Sequence, residues 1–313
     1  MELRANEGIK VLRAGRSWHG GAHVWSLPQT QPDGAVTPGD WTPPVKPAVC
    51  SRGWHLTTEP AHWWGTDPTV KAYLAEWEGA VARDEGDKFA VERCRLLREL
   101  TVEELATLSV FLTGEHTVRA GVAWASGSST VTASGSSTVR AYDSSTVRAS
   151  GSSTVRASGS STVTASGSST VTAYDSSTVR ASGSSTVRAY DSSTVTASGS
   201  STVTASGSST VTAYDSSTVR AYGSSTVTAY GSSTVTAYDS STVTASGSSK
   251  THAAGRSTAT AWGGTTVVTR ADEGCIVDRR GPAPKTYLKR AGLDGWRFVD
   301  GAWVLRAKKA ARS

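Results

Sequence analysis

The sequence predicts an all-β protein: a flat β-solenoid of octad repeats with two octads per coil, a small α+β N-terminal cap domain and a β-hairpin C-terminal cap. Three observations carry this. From Ala125 to Thr244 the chain is fifteen uninterrupted octads of the form A-[SY]-[GD]-S-S-T-V-[TR], and three degenerate copies begin at Ala245, Ala253 and Ala261. Self-similarity at a fixed short period means stacked units, each unable to bury its own apolar surface. The octad is too short for a helix pair or a propeller blade, and Thr, Val and Ser with Gly or Asp at one place favour a strand and a tight turn. The composition agrees: 313 residues with 37% hydrophobic and 19% charged side chains, 31 Gly, 3 Phe and 1 Met. That is too little Leu, Glu and Lys for a coiled coil. No apolar run of membrane-spanning length exists, so membrane insertion is not expected. The divisions this predicts are a cap domain over 1–116, the solenoid over 117–268 and a capping segment over 269–313.

What varies within the octad tells which side chains point inward. The eighth position alternates between Thr and Arg, and an unpaired Arg does not sit in a narrow dry interior, so this position faces water. Strand alternation sends the sixth position, always Thr in the regular octads, outward as well. Ser at five, Val at seven and Ala at one then face in, and positions three and four make the corner. One Val and one Ala bury too little to order a whole octad by themselves. Hydrogen bonds between coils and bonded rows of inward Ser are expected to supply the remainder. Such an interior leaves no room for a pocket.

With two octads per coil, eighteen octads make nine coils, about 43 Å long at the usual strand spacing. Odd and even octads then form opposite faces. The even face carries Arg140, Arg156, Arg188 and Arg220 at the eighth position. The odd face has Arg148 and Arg180, then an unbroken run Thr196, Thr212, Thr228 and Thr244, paired with Thr194, Thr210, Thr226 and Thr242. Tyr142, Tyr174, Tyr190, Tyr222 and Tyr238 belong to the odd octads and are assigned to that face.

The octad Ala221 to Thr228, A-Y-G-S-S-T-V-T, resembles the A-G-Y-G-S-T-x-T octads of bacterial ice-nucleation proteins. The resemblance covers the repeats and implies a flat solenoid of two-octad coils, outward T-x-T rows that organise water, and a Tyr ladder along an edge. It maps onto Thr226, Thr228, Tyr222 and their equivalents. Six of the fifteen T-x-T pairs are T-x-R here, which interrupts the array.

Ahead of the repeats, strands are expected at Lys10–Arg13, His23–Leu27, Val70–Trp77 and Phe89–Leu97, the last two joined by a turn at Arg83–Asp87. Thr101-Val-Glu-Glu104 reads as a capping box opening a helix through Leu112, with Gly114 as its stop. The seven Trp from Trp18 to Trp77 are assigned to the core of this domain. The run Cys50-Ser-Arg-Gly-Trp-His-Leu56, with Asp87-Lys88 and Arg95-Leu-Leu-Arg-Glu-Leu-Thr101, resembles an uncharacterised module of bacteriophage and actinobacterial repeat proteins. That implies a phage-related origin and no particular activity. Behind the repeats, Trp296–Val299, Asp300-Gly301 and Ala302–Leu305 read as a hairpin.

The chain opens on MELRANEGIKVLRAG, with charges throughout, so no signal peptide is expected and synthesis is assigned to the cytoplasm, with a virion or a cell surface as candidate destinations. Cys50, Cys94 and Cys275 are too few for a disulfide framework. Cys50, His55 and His62 fit no metal-ligand spacing, so neither metal nor cofactor is expected. No P-loop, G-x-S-x-G, H-E-x-x-H or dinucleotide fingerprint occurs, and the repeat serines have no base beside them. The net charge of +6 is a gradient: −3 over 1–124, +1 over 125–244 and +8 over 245–313. The expected function is a non-enzymatic, rigid scaffold or spacer that presents Thr, Tyr and Arg ladders to a protein partner, a surface or itself. The alternative is an ice-binding or water-ordering surface. A weaker one is polyanion binding through the basic C-terminal segment (Lys308, Lys309, Arg312), although nucleic acid is not the expected partner.

Overall fold

The computed structural model describes residues 1–17, 23–49, 53–65, 67, 69–83 and 85–262, and the strands Val267–Arg270, Gly274–Asp278, Lys285–Lys289, Trp296–Val299 and Ala302–Leu305. The chain is nearly all-β and divides into two compact units, Met1–Gly114 with Val122–Ser126, and Glu115–Gly121 with Gly127–Ser313.

In the first unit, antiparallel strands close on themselves. Glu7–Arg13 pairs along its whole length with Val70–Arg83 and also meets Trp54–Thr57. Lys88–Glu99 pairs with both Trp54–Thr57 and Val70–Arg83, completing the circuit. Leu12, Trp25, Leu56, Phe89, Val91 and Leu96 fill the interior, with Trp54 and Trp77 packed against it. The long hairpin forms where the Arg83–Asp87 turn predicts it, with longer strands than the sequence suggests. His23–Leu27 is not a regular strand: Val24 makes a single bridge to Arg16. The helix is also shorter than expected. It spans Val102–Thr107, capped by the predicted box, in which the Thr101 side chain accepts from Glu104 N–H and Glu104 answers Thr101 N–H. It ends because Ser109 turns left-handed (φ 62), which frees Val110–Phe111 to pair in parallel with Val122–Ala125.

The second unit is the solenoid, two parallel sheets in which each strand pairs with the one two octads along. The odd-octad sheet starts at Glu115–Val118, then continues Thr130–Ala133, Thr146–Ala149 and so on to Gly274–Asp278, where Lys285–Lys289 joins antiparallel. The even-octad sheet runs in this unit from Thr138–Ala141 to Val267–Arg270. Along every regular octad Ser at five, Val at seven and Ala at one are buried, as the substitution pattern requires: Ser193, Val195 and Ala197 each have 0% exposure. The stack departs from the two-octad step at its ends. The first coil is one position short, since Glu115 lies opposite Thr130, and the last ones are one position long, since Lys250 lies opposite Val267 and Thr258 opposite Cys275. The C-terminal hairpin is present, Trp296–Val299 pairing with Ala302–Leu305 so that Val299 meets Ala302.

Hydrogen bonding between coils does not stop at the strand ends. Thr194 N–H donates to Ser177 O (2.9 Å), Ser198 N–H to Ala181 O (2.9 Å), and at the corner itself Ser200 N–H to Gly183 O (2.8 Å). The inward serines do not form the bonded rows expected of them. Most turn back on their own turns, as Ser193 Oγ does in donating to Tyr190 O (2.6 Å), beside the Ser193 N–H bond to the same carbonyl (3.2 Å). The hydroxyl thus closes the turn locally, on an acceptor three positions earlier in the chain. Ser177, Ser209 and Ser257 also reach a carbonyl of the preceding coil at 3.5, 3.3 and 3.5 Å, and Ser145, Ser161 and Ser249 Oγ have no protein partner among the described residues. Position three holds Gly or Asp because it is left-handed: Gly207 has φ 70 and Asp215 φ 55. A Cβ on Gly207 would lie 2.9 Å from Asp191 N.

Candidate functional site

The described interior is filled by Val, Ala and Ser, so the chemistry of the solenoid lies outside, in ladders set by register. On the odd-octad sheet, Thr194 and Thr196 stand beside Thr210 and Thr212, then Thr226 and Thr228, then Thr242 and Thr244. Register adds a fifth rank that the octad pattern obscured, Thr258 and Thr260 beside Thr242 and Thr244. Its intervening residue is Ala259 rather than Val, yet the T-x-T spacing survives. All ten hydroxyls belong to half-buried or exposed residues. Strand geometry spaces them by about 4.8 Å along the stack and about 6.6 Å across it. The result is a flat lattice of hydroxyl and methyl groups without a charge in it.

The tyrosines are not on that face. Position two follows the last strand residue, so Tyr142, Tyr174, Tyr190, Tyr222 and Tyr238 lie at the corner where each even-sheet strand ends. Tyr174 stacks on Tyr190 (centroids 5.1 Å, 12°) and Tyr222 on Tyr238 (4.9 Å, 8°). Ser158 and Ser206 occupy the intervening positions of this edge and break it into segments. The opposite corner carries Tyr214 stacked on Tyr230 (5.2 Å). Trp262 has the same octad position two coils beyond Tyr230, with Ser246 between them. Tyr214, Tyr230 and Trp262 are 40%, 41% and 44% exposed.

Sharing the Tyr corners are five aspartates, each accepting a backbone N–H from the coil before it. Asp175 accepts from Gly159 (3.0 Å), Asp215 from Gly199 and Asp239 from Gly223 (both 2.9 Å), with longer bonds to Asp143 and Asp191. These carboxylates therefore serve the turns.

On the even-octad sheet the eighth positions run Arg140, Arg156, Thr172, Arg188, Thr204, Arg220, Thr236 and His252. Arg140 and Arg156 are direct neighbours. The Arg156 guanidinium lies over the Tyr174 ring at 4.7 Å, which draws it toward the corner. Lys250 occupies the sixth position of the same sheet.

In the first unit, Asp87 accepts from Thr57 Oγ1 (2.6 Å) and Trp63 Nε1 (2.7 Å), with His62 Nδ1 3.4 Å from its other oxygen. Burial pushes this carboxyl up, but the hydrogen bonds from Thr57, Trp63 and His62 outweigh it and hold it below the usual range. Lys10 points into the closed sheet, donating to His55 O (2.9 Å) and lying over Trp25 at 4.7 Å. Burial lowers its pKa to about 8, and buried Cys94 is pushed up to about 12 by the same cause. Trp41 lies under the guanidinium groups of Arg93 and Arg95 (4.9 and 5.0 Å). Among the described residues no cluster of three or more His, Cys, Asp or Glu side chains has the geometry to hold a metal ion. Cys50 and the basic terminus Lys308, Lys309 and Arg312 lie outside the described residues.

The two sheets of the solenoid are thus chemically unlike: one ends in an uncharged Thr lattice, the other carries a cation row, and stacked aromatics mark the corners between them. Comparison with protein-family models, with curated proteins and with solved structures finds no match, so the functional reading rests on this geometry.

Proposed function

We propose that the protein is a non-enzymatic scaffold whose solenoid holds side-chain ladders in register for contact with a protein partner, a surface or a second copy. The observation that carries this reading is the contrast between an invariant interior and two different exteriors. Every regular octad buries the same Ser, Val and Ala, while the outward eighth position is Thr on one stretch and Arg on another. Parallel stacking converts each such choice into a row about 4.8 Å in repeat. Rigidity follows from the hydrogen bonds that run through both strands and corners.

A second reading has its own observation. Five consecutive T-x-T ranks, from Thr194 and Thr196 to Thr258 and Thr260, form an uncharged lattice suited to ordering water. Ice growth and droplet freezing with the pure, β-folded chain separate the two. The scaffold reading expects freezing at the buffer's own temperature and unfaceted crystals. Warmer freezing or faceting, abolished when Thr196, Thr212, Thr228 and Thr244 are changed to Arg, would replace it with the water-ordering one. Arg is the natural alternative at this position, so such variants keep the fold.

A further inference from the structure

The cations of the even-octad sheet are not scattered. From Arg156 onward the eighth positions alternate strictly in register: Arg156, Thr172, Arg188, Thr204, Arg220, Thr236, His252. A cation-capable side chain therefore recurs on every second strand, about 10 Å apart along the stack, with a Thr hydroxyl midway. Arg188 and Arg220 are exposed and form no salt bridge among the described residues. The sixth positions of the same strands are Thr, with Lys250 at the far end, so no carboxylate stands on this face. The nearest acids, the corner aspartates, have an oxygen committed to backbone N–H groups. A row of Arg positions at fixed separation, with no acid on the same strands, matches a partner that is itself periodic and anionic.

We propose that this face binds an extended acidic polysaccharide bearing one carboxylate per disaccharide, the guanidinium groups pairing the carboxylates and the Thr hydroxyls meeting the sugars between them. Two features favour such a chain over nucleic acid. Duplex DNA carries a charge about every 1.7 Å, several times denser than this row. Binding of single strands draws on aromatic side chains exposed for base stacking, whereas the tyrosines at the corner of this face are half-buried, and Tyr174 with Tyr190 and Tyr222 with Tyr238 are already stacked on one another. The proposal rests on the display reading above and names the ligand class of one face.

The test uses the full chain and soluble hyaluronan, which has one carboxylate per disaccharide, with neutral dextran and duplex DNA as comparisons. Binding is followed by titration at two salt concentrations. Wild type is expected to bind hyaluronan, with affinity falling as salt rises, and to ignore dextran. The variant Arg156→Thr, Arg188→Thr, Arg220→Thr is expected to lose at least tenfold in affinity. Arg148→Thr, Arg180→Thr on the other sheet is expected to stay within twofold of wild type. Since Thr fills the same position in neighbouring coils, all these variants retain the core, which circular dichroism verifies. A charge-neutral exchange, Arg188→Thr with Thr204→Arg, shifts the row out of its two-strand rhythm and should weaken binding severalfold. Absence of hyaluronan binding, preference for DNA at equal salt, equal loss from the two Arg→Thr sets, or an exchange without effect would each overturn the proposal. With the β signal intact, any of these leaves the display reading standing. A chain without that signal would bring down the display reading itself.

Discussion

At the scale of single residues, position three of the octad shows how a substitution pattern encodes backbone conformation. Asp and Gly share this place because both tolerate the left-handed region, Asp215 sitting at φ 55 and Gly199 at φ 65. Asp adds a carboxylate that accepts Gly199 N–H at 2.9 Å. Asp215→Ala should therefore cost twice, through about 1–2 kcal/mol of left-handed strain and about 1 kcal/mol for the lost hydrogen bond. Asp215→Gly surrenders the bond but removes the strain, and should stay within about 1 kcal/mol of wild type. Denaturant midpoints of the two variants decide; an Ala variant as stable as the Gly variant would show that the turn imposes no such conformation. The inward and outward positions were legible because Arg appears at position eight and never at one, five or seven of the regular octads. The role of the buried Ser was not. A hydroxyl facing in can bond up the stack or back along its own chain, and only the geometry of the turn decides for the local carbonyl. The tyrosines were misplaced for a related reason: octad membership assigned them to a face, whereas position two precedes the turn and projects at a corner.

Among elements, periodicity made the solenoid strands readable and left the N-terminal sheet only partly so. Closure of that sheet depends on Glu7–Arg13 meeting Val70–Arg83, a pairing between distant stretches of chain that no local pattern announces. Closure also creates the place that Lys10 occupies, against Trp25 and the His55 carbonyl and within electrostatic reach of buried Cys94. With its folded pKa lowered to about 8 from 10.5, Lys10 surrenders its proton in the native state while the unfolded chain keeps it. Stability should then rise with pH above about 8, by up to about 1.4 kcal/mol per pH unit, until the unfolded Lys also deprotonates. Cys94 acts in the opposite sense. Its thiol, raised to about 12 from 9.0, stays protonated in the native state while the unfolded thiol ionises, so stability falls from about pH 9 upward. The two together predict a rise from pH 8 to 9, a plateau while both operate, and a fall beyond it. Eight of the eleven Trp belong to this unit, so fluorescence-detected unfolding reports on it. Lys10→Met should erase the rise between pH 8 and 9 and turn the plateau into a fall that begins near pH 9; a variant with the wild-type profile would remove Lys10 as its source.

For the molecule as a whole, the decisive property is that adjacent coils are interchangeable while the two sheets are not. Each coil contacts its neighbours through the same backbone bonds, and the interior residues repeat without variation through the regular octads. The shortened first coil and the lengthened last ones break the step, through segments whose sequences no longer follow the octad. Excising the two octads from Ala173 to Arg188 joins Thr172 to Ala189 and keeps every later octad on its own sheet. Such a deletion should fold, unfold in a single cooperative solenoid transition with a modestly lower midpoint, and shorten the particle by about 5 Å in solution scattering. It also removes Arg180, so that Thr164 becomes the neighbour of Thr196 and the uncharged lattice gains a sixth rank, while the cation row loses Arg188. Excising only the octad from Ala173 to Arg180 preserves the interior pattern but transfers everything downstream to the opposite sheet. The β signal should survive in this variant too, while the Thr lattice moves whole to the other sheet beside Thr170 and Thr172, and Arg188 and Arg220 pass to the sheet of Arg148, away from Arg156. If the two-octad deletion abolished the β signal, equivalence of the coils would be refuted. If the single-octad deletion, with its β signal intact, lost both surface activities, ladders kept in register would not suffice for function, and the display reading would fall with it.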